Sequence, residues 1–241
     1  MYKECSRRQL LHDTFAAGSV LAAASAGFAI PQAFADKKPS EPEVTATEDL
    51  MREHGVIRRA LLVYAETVPK LRTKPDSVDP AALRRTAQLF RTFGEDYHEK
   101  MLEEQHIFPT VRKMNANLAQ YADVLISQHA RGREITDYIL AVSAGQKIGT
   151  THAEPLARVL ESFVRMYENH AAREDTIIFP SWKKNFSNKQ LDELADQFED
   201  IEHRMFGKDG FDDAEEKISK IEDALGLSDL AQFTPPAPPK P

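Results

Sequence analysis

Apolar residues recur every three or four positions in five stretches of this chain, and no stretch sustains an alternation of apolar and polar residues. A chain patterned this way can bury its apolar faces only by packing helix on helix, so the fold class is all-α. The first stripe follows a capping box, Thr45-Ala46-Thr47-Glu48, carries Leu50, His54, Ile57 and Leu61, and is expected to end near Pro69. Asp79-Pro80 opens the second, with Leu83, Ala87, Phe90, Gly94, His98 and Met101 on one face. The third shows Leu118, Ala122, Leu125, His129, Gly132, Thr136 and Ile139. The fourth starts near Glu154-Pro155 and shows Leu156, Val159, Phe163, Met166 or Tyr167, His170, Glu174 and Ile177. The fifth has its own capping box, Ser187-Asn188-Lys189-Gln190, then Leu191, Leu194, Phe198, Ile201 and Met205. Short connections between long amphipathic segments favour an antiparallel four-helix bundle with an additional C-terminal helix.

Each of the first four stripes contains one histidine: His54, His98, His129 and His170. In an antiparallel bundle they can converge at one level of the core. Burying polar groups without partners costs about 2–7 kcal/mol each, so a shared partner is required. Acids stand at helical reach of two of them, in a segment that occurs twice: "YHEKMLEEQHIFP" at 97–109 and "YENHAAREDTIIFP" at 167–180. Glu174 lies four residues after His170 and faces the same way. Glu103 lies five after His98, about 140° away on a regular helix. A single wide turn would absorb the extra residue; if the helix stays regular, Glu99 is the competing ligand. Imidazole and carboxylate without thiolate suit iron, manganese or zinc. Two carboxylates able to bridge suit a two-metal site inside a bundle. Phe108-Pro109 and Phe179-Pro180 read as helix punctuation with packing.

The only cysteine, Cys5, falls in residues 1–35, which read as an export signal: a basic head with Arg7-Arg8, an Ala-rich run and Ala33-Phe34-Ala35 as a cleavage site. "SRRQLL" resembles the twin-arginine signal, whose route carries folded proteins and so lets a metal be loaded before export. The expected layout is a signal at 1–35, a polar linker at 36–46, the bundle at 47–228 and a Pro-rich disordered tail at 229–241, with a periplasmic or otherwise exported location. Without the signal the chain has 28 basic and 36 acidic residues, a formal charge of −8. That balance argues against nucleic-acid binding, and the remainder holds no polybasic membrane patch and no stable membrane span.

Taken together, "REHGVIRR", "YHEKMLEEQHIFP", "SQHARGREITDYI", "ENHAAREDTIIFP" and "FEDIEHRMFG" make residues 48–206 resemble the hemerythrin-like family, the HHE cation-binding domain. The resemblance implies non-haem iron, usually two ions bridged by carboxylates and an oxo or hydroxo group. His54, His98, His129 and His170 would be terminal ligands, with Glu103 and Glu174 bridging. Asp175 stays open as an alternative, because oxygen-carrying members space their last histidine and acid by five. Those members also place a further histidine four residues after the third helix's; here that position is Arg133, which cannot ligate a metal. His203 is the obvious substitute, although it lies off its helix's stripe. His106 and His152 read as peripheral, and Tyr97, Tyr138 and Tyr167 as groups that orient ligands. The resemblance thus implies binding of dioxygen, nitric oxide or iron. The alternatives are a di-iron oxidase or peroxide-consuming enzyme, and a bundle with one zinc or no metal.

Overall fold

From Ala46 onwards the chain folds as helices joined by short turns. The computed structural model describes residues 44–239; the expected signal and nearly all of the expected linker lie outside the described residues. No strand occurs among the described residues, and no helix there is long and apolar enough to cross a membrane. Helix α1 is Ala46–Thr73. Helix α2 is built from Pro80–Leu89, a wide π-helical stretch Phe90–Ile107, and Phe108–Val111. Helix α3 is Ala116–Val142. Helix α4 is Thr150–Arg173, one wide turn Glu174–Ile178, and Phe179–Lys183. Two further helices follow, α5 at Asn188–Phe206 and α6 at Gly210–Leu225. Leu230–Phe233 makes a short 3-10 turn.

The first four helices form the expected antiparallel bundle, with α1 packed along α4. All seven residues expected on the inner face of α3 are buried. The caps follow the sequence as well: Asp79 accepts from the Ala81 N–H, and Ser187 and Gln190 form a reciprocal capping box.

Several local expectations change. Helix α1 does not stop at Pro69 but runs one further turn. Leu71 in that turn is buried, and Arg72 donates to Glu154 and Glu161 of α4, so tertiary contacts outweigh the hydrogen bond that proline removes. The wide region in α2 is not a single turn but spans Phe90–Ile107. In α4 the wide turn rotates the stripe by one residue, so Ile178 is buried where Ile177 was expected. Neither Phe-Pro pair ends its helix. Each follows a wide turn instead: the Phe108 N–H donates to the Glu103 carbonyl, and the Phe179 N–H to the Glu174 carbonyl. A proline supplies no N–H and crowds the carbonyl four residues before it, and a five-residue turn relieves both.

On α5, Met205 is exposed and Glu202 is buried instead. The Glu202 carboxylate accepts from the Phe211 N–H in the first turn of α6. Gly207 closes α5 at φ 69°, a left-handed conformation that favours glycine. Helix α6 continues the chain beyond the expected fifth helix. It buries Ala214, Ile218 and Ile221 and is tied to α1 by Arg59, which donates to Glu215, Ser219 and Glu222.

One buried acid lies apart from the histidine level. Glu95 accepts from the Thr136 hydroxyl at 2.6 Å and has Arg91 Nε 3.0 Å away. Burial pushes its pKa up to about 7, with the Thr136 hydrogen bond opposing and the charge of Glu99 adding to the rise. An acid whose folded pKa is raised binds more protons folded than unfolded, so its contribution to stability falls as pH rises from about 4.5 to 7. The cost above pH 7 is about 3 kcal/mol. Glu95→Gln is therefore expected to stabilise the metal-free protein by about 2 kcal/mol at pH 8 and to gain nothing at pH 4. Urea denaturation at the two pH values checks this, and equal effects at both would contradict it.

Candidate metal centre

Four imidazoles from four helices meet at one level of the bundle. His54 comes from α1, His98 from α2, His129 from α3 and His170 from α4, and none is more than 3% exposed. They form two pairs. The Nε2 atoms of His54 and His98 are 3.0 Å apart, and so are those of His129 and His170. Every Nδ1 points outward to a partner: Asp175 for His54 at 2.7 Å, Glu53 for His98 at 2.6 Å, Glu104 for His129 at 3.0 Å and Gln128 for His170 at 2.9 Å. An imidazole that donates from Nδ1 presents a lone pair at Nε2. The two members of each pair thus direct lone pairs at one small volume, which is unfavourable unless a cation or proton occupies it.

Two carboxylates lie between the pairs. Glu103 Oε1 is 3.4 Å from His98 Nε2, and its Oε2 is 3.3 Å from His129 Nε2. Glu174 Oε2 is 3.5 Å from His54 Nε2, and its Oε1 is 2.9 Å from His170 Nε2. Each acid therefore faces both halves, one oxygen to each. The wide helix makes this possible for Glu103, because i→i+5 bonding brings residues five apart to one face. All four oxygens are buried without a hydrogen-bond partner. Buried polar atoms are normally satisfied, so this pattern marks a place for cations. Two nitrogens held at a right angle by one cation about 2.1 Å away would be about 3.0 Å apart, which is the spacing observed. Glu103, His129, His170 and Glu174 form one donor group, and His54, His98 and Glu103 another.

Burial and neighbouring charges shift the groups of the centre in opposite directions. Burial alone would lower the pKa of His98, but the charges of Glu103 and Glu53 and the hydrogen bond that its Nδ1 donates to Glu53 outweigh it and raise it well above the usual range. His129 is likewise pushed up to about 10, against burial, by Glu99, Glu103 and Glu104. Burial would raise Glu103, yet His98 and His129 hold it low. Glu174 goes well up through burial and the charge of Glu103, and His170 goes down to about 3 through burial and repulsion by His129.

Residues 45–182, which carry these four histidines together with Glu103 and Glu174, match the hemerythrin HHE cation-binding domain. The chain belongs to that family. It is also similar to uncharacterised proteins from Mycobacterium bovis and Mycobacterium tuberculosis, 41% identical over 234 residues, covering 95% of this chain and 91% of theirs. No solved structure matches.

The remaining candidates lie outside the pairs. Glu99 is buried, but its oxygens go to the Tyr167 hydroxyl at 2.6 Å and to Arg133 at 3.3 Å, and it reaches only the outer nitrogen of His129, 4.0 Å away. Asp175 touches the outer nitrogen of His54 and pairs with Arg58. Arg133 donates to Glu104 at 2.7 Å. His203 is half-buried on α5 and belongs to none of the donor groups. His106 packs its ring on Phe198 and His152 is exposed, both away from the centre. Tyr97 donates to Glu53 at 3.0 Å and so supports His98. Four contributors escape a reading of the apolar stripes: Glu53, Arg58, Glu104 and Gln128. Each is a polar neighbour of a stripe residue or one turn from it, and only the packing of facing helices shows what it touches.

Proposed function

We propose that this HHE-domain protein is an exported two-metal protein whose iron centre binds dioxygen or a related small ligand such as nitric oxide. The observation that carries the reading is the placement of Glu103 and Glu174, each with one unsatisfied oxygen toward each imidazole pair. A carboxylate-bridged pair of this kind is the arrangement that bundle di-iron proteins use. When bound, iron would supply electrons to an oxidising ligand and a Lewis-acidic place to hold it.

The chain's own residues prepare that place. Four outward hydrogen bonds fix the rings with Nε2 inward, which orients the ligands and sets their tautomer. A layer of Tyr64, Phe90, Phe163 and Tyr167, with centroids 4.8–6.4 Å apart, closes one side against water. The export reading rests on Arg7-Arg8 and Ala33-Phe34-Ala35.

One observation favours a second reading, consumption of peroxide. Arg133 holds the position of the further histidine found in oxygen carriers, and its guanidinium is engaged by Glu104 and Glu99. It adds no donor, so the protein supplies four imidazoles and two bridging carboxylates and leaves more of the centre open. Elemental analysis of protein purified from its native compartment tests the common premise. About two iron ions per chain are expected, and a single zinc or no metal would overturn both readings. Mixing the reduced protein with oxygen then separates them. A reversible absorption band supports binding; steady turnover of hydrogen peroxide, lost in His170→Ala, supports the enzyme.

A further inference from the structure

Two features remain once ligands and bridges are assigned. One is the second acid of each pair, Glu104 after Glu103 and Asp175 after Glu174. The other is an arginine four residues after one histidine in each half, Arg58 after His54 and Arg133 after His129. The fold assembles them into two matching sets. One oxygen of Asp175 lies 2.7 Å from His54 Nδ1, and the other accepts from Arg58. Glu104 Oε1 lies 3.0 Å from His129 Nδ1 and accepts from Arg133 at 2.7 Å. The phenylalanine of each Phe-Pro pair completes the match: Phe179 stacks on His54 with centroids 5.4 Å apart, and Phe108 on His129 at 5.6 Å. Each repeat thus sends its first acid to the centre and its second acid, with its phenylalanine, to the histidine of a neighbouring helix.

We propose that Arg58 and Arg133 are paired positioning residues, each clamping a carboxylate against the Nδ1 of the histidine one turn before it. This rests on the reading that the centre holds cations. The spacing of four puts arginine and histidine on the same helix face. The carboxylates need a second anchor, because Asp175 and Glu104 keep 18% and 23% of their side-chain surface exposed and would otherwise swing into water. A guanidinium supplies a planar, permanently charged fork for that purpose. His98 and His170 use other partners, the buried Glu53 and the uncharged Gln128. Arg133 is then no degenerate ligand position but the counterpart of Arg58.

The test uses the purified protein loaded with zinc, a diamagnetic cation, and the variants Arg58→Met, Arg133→Met, Arg58→Lys and Arg133→Lys. Zinc affinity, measured by competition with a chromophoric chelator, is expected to fall roughly 10-fold in each methionine variant, and lysine should restore part of it. Nitrogen–proton correlation spectra supply a signature that general loosening would not give. The Nδ1–H signal of His54 alone should exchange faster in Arg58→Met, and that of His129 alone in Arg133→Met. Both arginines are partly exposed, and circular dichroism confirms that the variants fold. Unchanged affinity and signals in the methionine variants overturn the clamps but leave the metal centre standing. Equal disturbance of all four histidines also overturns them. A wild-type protein that binds no zinc overturns the clamps and the cation reading together.

Discussion

Glu174→Gln is expected to remove most of the thermal stabilisation that cation loading confers, while leaving the metal-free protein about as stable as before. Burial and the charge of Glu103 push the Glu174 pKa well up, so the metal-free protein favours a neutral side chain there. A carboxamide of nearly the same shape replaces it at a cost within about 1 kcal/mol. With cations the outcome is different. Glu174 faces His54 with one oxygen and His170 with the other, and a carboxamide cannot bridge as a carboxylate does. Loss of a direct ligand exceeds the 10–100-fold effect typical of an outer partner, so affinity should drop by roughly 100-fold or more. A cation at about a thousand times its Kd stabilises by about 4 kcal/mol, or about 8–16 °C in Tm for a domain of this size. The variant should keep only about 3–6 °C of that rise. Thermal melts with and without zinc or ferrous iron measure both quantities. An undiminished rise in the variant would show that Glu174 holds no cation.

Gly132→Ala carries the second large expected effect, with a sign opposite to the usual one. Glycine inside a helix normally costs about 1 kcal/mol relative to alanine, so the substitution should stabilise. At this position an added Cβ would lie 2.1 Å from the Tyr167 hydroxyl oxygen and 3.0 Å from its Cζ. Tyr167 is buried between α4 and α3 and donates to Glu99 at 2.6 Å. Moving it overpacks the core and strands a buried carboxylate oxygen, each worth about 1–3 kcal/mol. The net expectation is a loss of about 3 kcal/mol, or about 6–12 °C in Tm. Tyr167→Phe in the same chain removes the closest clash and should recover part of the loss. Urea denaturation of both single variants and the double variant closes the cycle. A neutral or stabilising Gly132→Ala would contradict the close approach.

The stripes and caps were readable because they depend on local rules. Helical period, proline and capping chemistry placed the first five helices, and the burial of every expected α3 residue follows from period alone. Helix α6 carries the same signal, Ala214, Ile218 and Ile221 at spacings of four and three after an Asp209 cap, inside the 47–228 range expected for the bundle although outside its five stripes. Other features depend on neighbours. The turn beyond Pro69 exists because Leu71 and Arg72 find partners on other parts of the chain. Met205 faces water because Glu202 takes the inner position to receive the Phe211 N–H.

The sequence by itself determined that four imidazoles would lie on the inner faces of a helical bundle, since periodicity fixes which side of each helix a residue occupies. It left open which acid turns inward, because a wide or a regular turn decides between Glu103 and Glu99, and one residue of helical winding separates Glu174 from Asp175. The tertiary structure decided that through the wide turns and through the facing helices, where Arg58 and Arg133 draw the second acid of each pair outward. Direction around a helix is a local property; the choice of partner across a gap depends on all the helices that line it.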